Sequence, residues 1–216
     1  MKLSGSLALQ QLQNTNECPH CDFQGANLAK INLSYANLAG ADFSKANLVE
    51  ANLQNTNLSQ ANLTGANLSH AQLSDTNLSE ANLSGANLSN IRFGQSSQSM
   101  DIQQAKATNL SGANLSHANL RASNLPQVNL TQANLVSADL SNAKLMGMQA
   151  AGANLEKAKL NRADLSYAKL KGANLSSANL DNSNLRSANL DGANLRQVDL
   201  TNAITANTSL KGALRD

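Results

Sequence analysis

The chain has 216 residues, of which Leu, Ala and Asn supply 36, 34 and 32. It contains three Phe, two Tyr, no Trp and two Pro, which excludes a core assembled from large side chains of many shapes. A formal net charge of +2 with 14% charged residues excludes an acidic disordered segment and a basic tail for polyanions.

The first segment, residues 1–17, is predicted to be an N-terminal cap with a short helix. The sequence SGSLALQQLQ (4–13) offers Ser4 as an N-cap and leucines at positions 7, 9 and 12, which suits a short helix that covers the first coil. Its continuous apolar stretch is too short for a signal peptide. It also contains too few cationic residues for a helix that binds a membrane surface. No apolar run approaches the roughly 20 residues that span a bilayer, so a cytoplasmic protein without membrane attachment is expected.

Residues 18–93 form a first repeat block with a period of five. From Phe23 to Phe93 every fifth residue is Leu or Phe, and a small residue, usually Ala, lies two positions earlier. This period fits neither a helix nor a strand. It fits a chain that turns a corner in every pentad, so that the central Leu and the small residue point inward while Asn faces water. The pattern therefore predicts an all-β solenoid.

Glycines and charges indicate four pentads in each coil. The series Gly152, Gly172, Gly192 and Gly212 has a spacing of twenty residues. Residues twenty apart would stack at about 4.8 Å, the distance between neighbouring strands. Opposite charges then coincide at Lys30/Glu50, Asp139/Lys159, Lys144/Asp164, Lys171/Asp191 and Asp191/Lys211. Counted over the chain, this predicts a column of about nine coils.

The motif Cys18-Pro19-His20-Cys21 stands at the start of the first block. Cys18 has the phase of a pentad centre and Cys21 that of the inward small residue. A structural disulfide that pins the cap to the first coil, or a pair of buried thiols, is the first interpretation. A redox switch and a metal site are the alternatives. Zinc would need four ligands, and a thioredoxin-type site would need a βαβ context. We predict no metal and no cofactor.

Residues 94–107 interrupt the repeat with the polar sequence GQSSQSMDIQQAKA. We expect a loop that protrudes from one continuous column. If the glycine columns of the two blocks share a face, Leu110 follows Leu83 on that face and the loop contains an excess of seven residues. The loop is either a tolerated surface insertion or a partner-binding element. The candidate interaction residues are Gln95, Met100, Asp101, Ile102 and Lys106.

Residues 108–216 form the second repeat block and the C-terminal end. Every fifth residue from Leu110 to Leu210 is Leu, except Ala150 and Thr205. The residues after Ser209 offer little to cover the core, so this end is expected to be open or to meet another copy in an end-to-end dimer. The block also contains a basic cluster, for which a solvated face and an anionic partner are the two interpretations. The cluster consists of Lys144, Lys157, Lys159, Arg162, Lys169 and Lys171.

Strings such as GANLSHANL (112–120), KGANLSSANL (171–180) and LSGANLSN (83–90) resemble the pentapeptide-repeat family over nearly the whole chain. The resemblance implies a right-handed quadrilateral parallel β-helix with Leu or Phe centres and small residues inside. It also brings in one known role of some family members, which protect DNA gyrase by mimicking DNA.

Function is predicted from what the outward residues offer. No Ser-His-Asp set, carboxylate pair or phosphate-binding loop stands out, so neither an enzyme nor a small-molecule substrate is expected. We expect a non-catalytic structural or protein-interaction protein with an unidentified protein partner. The alternative is a DNA-mimicking topoisomerase (gyrase) protection protein, which the neutral-to-basic surface disfavours. Nucleic-acid binding is not expected, because aromatic platforms and a basic stripe are missing.

Overall fold

A computed structural model of the chain describes residues 3–91 and 108–216. One helix, α1 (Gly5–Thr15), precedes a succession of short sides that are separated by two-residue turns. Across the described residues, each side pairs with the equivalent side of the next coil. The pairing is a single parallel bridge and not a strand of several residues.

The bridges confirm the spacing of twenty residues. Within each repeat block they join partners such as Asn37 and Asn57, or Asn47 and Asn67. Four bridges occur in a complete coil of twenty residues, whereas the last coil lacks the bridge between Asn179 and Asp199. The backbone therefore runs around four sides. We number the sides 1 to 4 in chain order. In the first coil, their outward bridging residues are Glu17, Asp22, Asn27 and Asn32, respectively. The predicted charge pairs Asp139/Lys159 and Lys144/Asp164 are also bridge partners.

The outward Asn of each pentad has two structural roles. The Asn57 Oδ1 accepts the backbone N–H of Ser59 at 3.2 Å, which closes the corner that follows. The Asn57 Nδ2 donates to the Asn37 Oδ1 in the coil before, also at 3.2 Å. On side 1 the same bond repeats from Asn77 to Asn57 at 3.3 Å and from Asn109 to Asn77 at 3.3 Å. Asn is therefore abundant because it serves the turn and a ladder of side-chain amides together.

The second corner residue of each pentad has a left-handed backbone. Examples are Asn55, with φ of 57°, and Ser177, with φ of 58°. Glycine is favoured here because it has no Cβ to strain this conformation. At Gly152 there is a second reason, since an added Cβ would collide with the side chain of Gln132 from the preceding coil. The glycine period thus reflects the corner geometry.

The core consists of the pentad centres and the small residues two positions before them. Phe23 and Phe43 stack with ring centroids 4.8 Å apart. Ala150, which departs from the Leu rule, is fully buried, and so is Met148, which occupies the inward position usually taken by Ala. In this pentad the large and small inward residues are exchanged, so that both inward positions are still filled.

The two repeat blocks are joined by bridges that span thirty-two residues: Asn77 to Asn109, Asn82 to Asn114 and Asn87 to Asn119. Since one coil takes twenty residues, the chain contains twelve extra residues at the interruption.

The predicted register across the interruption is wrong. The Leu83 N–H donates to the Asn114 carbonyl oxygen at 2.7 Å, so Leu83 is followed by Leu115 and not by Leu110. The error came from the glycines. Gly85 follows a centre on side 2 and Gly112 follows one on side 1, because every corner accepts glycine. The 94–107 segment, with Gln95, Met100, Asp101, Ile102 and Lys106, lies outside the described residues.

Helix α1 lies across the first coil. Ala8 and Leu12 are buried and belong to the same apolar cluster as the pentad centres. Ser4 precedes the helix as predicted, but its side chain makes no capping hydrogen bond; its backbone forms a parallel bridge with Asp22. The helix ends at Asn16, whose left-handed backbone lets its N–H donate to the Leu12 carbonyl oxygen at 2.9 Å.

The last coil covers the core less completely than the others. Val198, Leu200 and Leu210 are only partly buried although they occupy inward positions. The outward residues Ile204 and Leu214 are 49% and 47% exposed. Among the described residues, this end therefore has the larger open apolar surface around the core axis.

Hydroxyl groups at the inward small position provide a first test of the packing. The Thr76 Oγ1 donates to the Leu53 carbonyl oxygen at 2.7 Å, whereas the Ser183 Oγ is buried and has no partner within the described residues. Thr76→Ala should lower the free energy of unfolding by about 1–3 kcal/mol. Ser183→Ala should leave it unchanged or raise it by up to about 1 kcal/mol, because an unpaired buried hydroxyl is costly. Chemical denaturation followed by circular dichroism would measure both, and equal losses would contradict the distinction.

Candidate functional site

The two cysteines lie beneath helix α1, with their Sγ atoms 2.04 Å apart in the arrangement of a disulfide. Cys18 is the first centre of side 1 and is 1% exposed, and Cys21, in the inward position before Phe23, is 3% exposed. The Cys18 Sγ lies 3.4 Å from the Ala8 carbonyl oxygen in α1. The sulfurs are therefore enclosed between the helix and the first coil, where solvent and other proteins do not reach them.

The surroundings of the motif favour a structural role over redox or metal chemistry. A reactive cysteine is usually exposed and placed at a helix N-terminus or beside a cation, and Cys18 instead begins a side of the first coil. His20 is exposed at the following corner, with φ of 57°, and its ring lies over Gly40. Within the described residues, no three His, Cys, Asp or Glu side chains are grouped closely enough to hold a metal ion.

The oxidised state of this pair remains a prediction with a direct test. Because both sulfurs are buried, the native protein purified without reductant should show no thiol that reacts with Ellman's reagent. After denaturation and reduction, two thiols should appear. Two reactive thiols in denaturant without reductant would contradict the disulfide and favour the buried thiol pair.

The other predicted polar residues are dispersed. His20, His70 and His117 follow centres on sides 1, 3 and 2, so the structure places them at three different corners. The six cations of the basic cluster likewise occur around all four sides. They are close together in sequence and therefore form one cluster along the chain. Neighbours in sequence, however, lie on successive sides of the solenoid. They do not form a single basic face.

Asp199 has a lowered pKa, which the repeat itself explains. The hydroxyl and then the backbone N–H of Thr201 hold the pKa of Asp199 below its ordinary value. These are the bonds that the outward residue of a pentad normally makes to its corner, at 2.5 Å and 2.8 Å. The lowered pKa is thus a consequence of the repeat and does not indicate a catalytic carboxylate.

Two grooves of about 330 and 300 Å³ run beside helix α1. The first is lined by apolar and amide side chains, including Leu9, Ile31 and Asn32, and the second also borders Asp22. Ser4 and Asp22 both line the second groove, where their backbones form a parallel bridge. In the described part of the chain, no helix has the length and apolar character needed to cross a membrane.

Three exposed apolar side chains along the column were missed by the sequence reasoning. Tyr35, Met146 and Tyr167 are 72%, 45% and 59% exposed. All three occupy corner positions after centres of side 4, where most pentads have small or polar residues. The available signal was their phase, since Tyr35 and Tyr167 both stand two residues after a centre.

Comparison with known proteins identifies one protein family. The model for pentapeptide repeats matches residues 21–60, 56–95, 107–147, 149–176 and 178–214. No curated protein matches the chain.

Among solved structures, similarity extends to HetL, a pentapeptide repeat protein involved in heterocyst differentiation regulation from the cyanobacterium Nostoc sp. strain PCC 7120. The identity is 32%, over 99% of this chain and 97% of HetL, with a TM-score of 0.48. Rfr23 from the cyanobacterium Cyanothece 51142 is 26% identical over 97% of this chain and 93% of its own, with a TM-score of 0.31. QnrB1, a plasmid-mediated fluoroquinolone resistance protein, is 18% identical over 83% of this chain and 91% of its own, with a TM-score of 0.29.

The matched repeats cover nearly all of the column, and the pentad that they describe is the one seen here. An inward small residue, an outward Asn, an inward Leu and a two-residue corner recur around four sides. The chain therefore belongs to the pentapeptide repeat family, and its fold is the right-handed β-helical solenoid of that family.

Proposed function

We propose that the protein is a non-catalytic structural and interaction protein that presents its outer sides and corners to a protein partner. The observation that carries this proposal is how the outward side chains are used. Much of the outward Asn is committed to corner bonds and ladders, as for Asn57 with Ser59 and Asn37. These residues make a regular scaffold, and the remaining outward positions are free to vary for recognition.

The proposed molecule is a column of about nine coils, capped by α1 at one end and located in the cytoplasm. The buried Ala8 and Leu12 support the cap. The partly buried Leu200 and Leu210, with the exposed Ile204 and Leu214, support docking of a second copy at the other end. Sedimentation of the 22.6 kDa chain, alone and as Leu214→Glu, would test this dimer, which the variant should dissociate.

The experiment on function begins with capture of partners on the immobilised chain, followed by purification of each captured protein. A saturable complex between the two pure proteins, measured by calorimetry, is the expected result. Failure of every captured protein to bind in pure form would contradict the proposal. A supercoiling assay with DNA gyrase and a quinolone tests the DNA-mimic alternative. Protection of gyrase would overturn our ranking, since the positive net charge predicts none.

A further inference from the structure

The corner between sides 4 and 1 contains two exposed apolar side chains on neighbouring coils. Met146 and Tyr167 are 45% and 59% exposed. Their coils are adjacent, because the Gly147 N–H donates to the Ser166 carbonyl oxygen at 2.8 Å. The Tyr167 N–H donates to the Arg186 carbonyl oxygen of the next coil at 2.9 Å. The three residues Met146, Tyr167 and Arg186 thus follow one another along a single corner.

Cations surround this corner. Arg186 is exposed on it, Lys144 is exposed on side 4 and Lys169 is exposed on side 1, two residues after Tyr167. In the described part of the chain, none of the three has a carboxylate oxygen within 4.0 Å. The corner therefore combines apolar area with three cations that form no close ion pair among the described residues.

Asp164 lies beside Lys144 as its bridge partner on side 4, and its carboxylate also stabilises the fold. Its Oδ1 accepts the Ser166 N–H at 3.0 Å, the Ser166 hydroxyl at 2.7 Å and the Asn184 Nδ2 at 3.0 Å. Asp164 is also only partly exposed, while the three cations are exposed. Positive charge therefore dominates what a partner meets at this corner.

We propose that this corner surface, formed by Met146, Tyr167, Lys144, Lys169 and Arg186, docks an acidic peptide segment of a protein partner. The inference rests on the proposed interaction function and names its site and partner chemistry. Tyr, Met and Arg are enriched where interfaces bury their central residues, and complementary charge orients the encounter. An apolar side chain of the segment packs against Met146 and Tyr167, while its carboxylates pair with the cations. Three coils span about 10 Å, which an extended segment covers with roughly three residues.

The chain contains its own matched control. Tyr35 has the same place in its pentad and lies at the same corner, near the other end of the column, with 72% exposure. Asn37 and Gln54 stand where Lys169 and Arg186 stand around Tyr167. Tyr35 therefore offers the same aromatic ring without the cations.

The test uses fluorescence anisotropy with the full chain and a fluorescein-labelled peptide made of Glu, Asp, Leu and Phe. We expect saturable binding that Tyr167→Ser and Lys169→Gln each weaken about tenfold, and Tyr35→Ser less than about twofold. A peptide with Gln and Asn in place of the acids should bind at least about tenfold more weakly. Unchanged circular dichroism of the variants would show that they are folded.

Several outcomes would overturn the proposal. Absence of saturable binding, equal effects of Tyr35→Ser and Tyr167→Ser, or equal binding of the neutral peptide would each do so. Tighter binding of a labelled DNA duplex that is lost in the same variants would assign the surface to nucleic acid instead. If a purified protein partner binds the Tyr167→Ser variant as tightly as it binds the original chain, the assignment of this surface is wrong while the interaction function stands.

Discussion

Met148→Ala is expected to lower the free energy of unfolding by about 2–5 kcal/mol, because it leaves a cavity in a fully buried position. Ala150→Leu alone should cost about 1–3 kcal/mol, because Met148 already fills the space that the larger side chain would enter. The double variant restores the usual order of small and large inward residues. It should therefore lie within about 1 kcal/mol of the original chain, with a coupling free energy of at least about 2 kcal/mol.

Chemical denaturation of the original chain and the three variants measures this cycle. Met146→Ala is the matched control, since it removes the same side chain two residues away at a site that is 45% exposed. Its effect should stay below about 1 kcal/mol. Additive effects of Met148→Ala and Ala150→Leu would show that the two inward positions do not share space.

A second large effect is expected at the interruption between the repeat blocks. Deleting residues 95–106 removes twelve residues and joins Phe93-Gly94 to Ala107-Thr108-Asn109-Leu110, which is one regular pentad. The free energy of unfolding should change by no more than about 1 kcal/mol. Deleting residues 94–107 leaves only Thr108 and Asn109 between Phe93 and Leu110, and so removes the two-residue corner. We expect a loss of at least about 3 kcal/mol, because Leu110 and the Thr108 hydroxyl lose their buried places.

Thermal and chemical unfolding of the two deletion variants would decide the register. The bridges between Asn77 and Asn109 predict that only the twelve-residue deletion is neutral. Equal stability of the two variants would mean that the coil after the interruption is not held in that register.

Much of the fold could be predicted because each pentad repeats the same inward and outward pattern. The period gave the inward Leu and Ala, and opposite charges at Asp139 and Lys159 gave the coil of twenty residues, which the bridges confirm. The register across the interruption could not be predicted, because all four corners accept glycine and Gly112 does not mark one side. Ser4 makes no side-chain capping bond, and its backbone bridge to Asp22 joins residues that no local sequence pattern connects.

The candidate site was predicted less well than the fold. The positions of Cys18 and Cys21 followed from their phase within the repeat. The corner of Met146 and Tyr167 did not, because these residues belong to different pentads whose proximity appears only when coils are stacked. The exchange of Met148 and Ala150 was visible as an exception to the Leu rule, but its compensation required knowledge that both side chains point inward.

The amide ladders also bear on how such a column avoids growing into a fibril. Stacked Asn side chains at strand spacing are among the contacts that let cross-β assemblies add identical layers without limit. Here the first outward residues of sides 1 and 2 are Glu17 and Asp22, whose carboxylates accept hydrogen bonds but cannot pass one on to an earlier layer. At the other end, the outward residues Ile204 and Leu214 have no side-chain amide that could extend the ladders on sides 4 and 2. The ladders on sides 1, 2 and 4 are therefore each interrupted at one end or both, which disfavours the addition of identical layers along these sides.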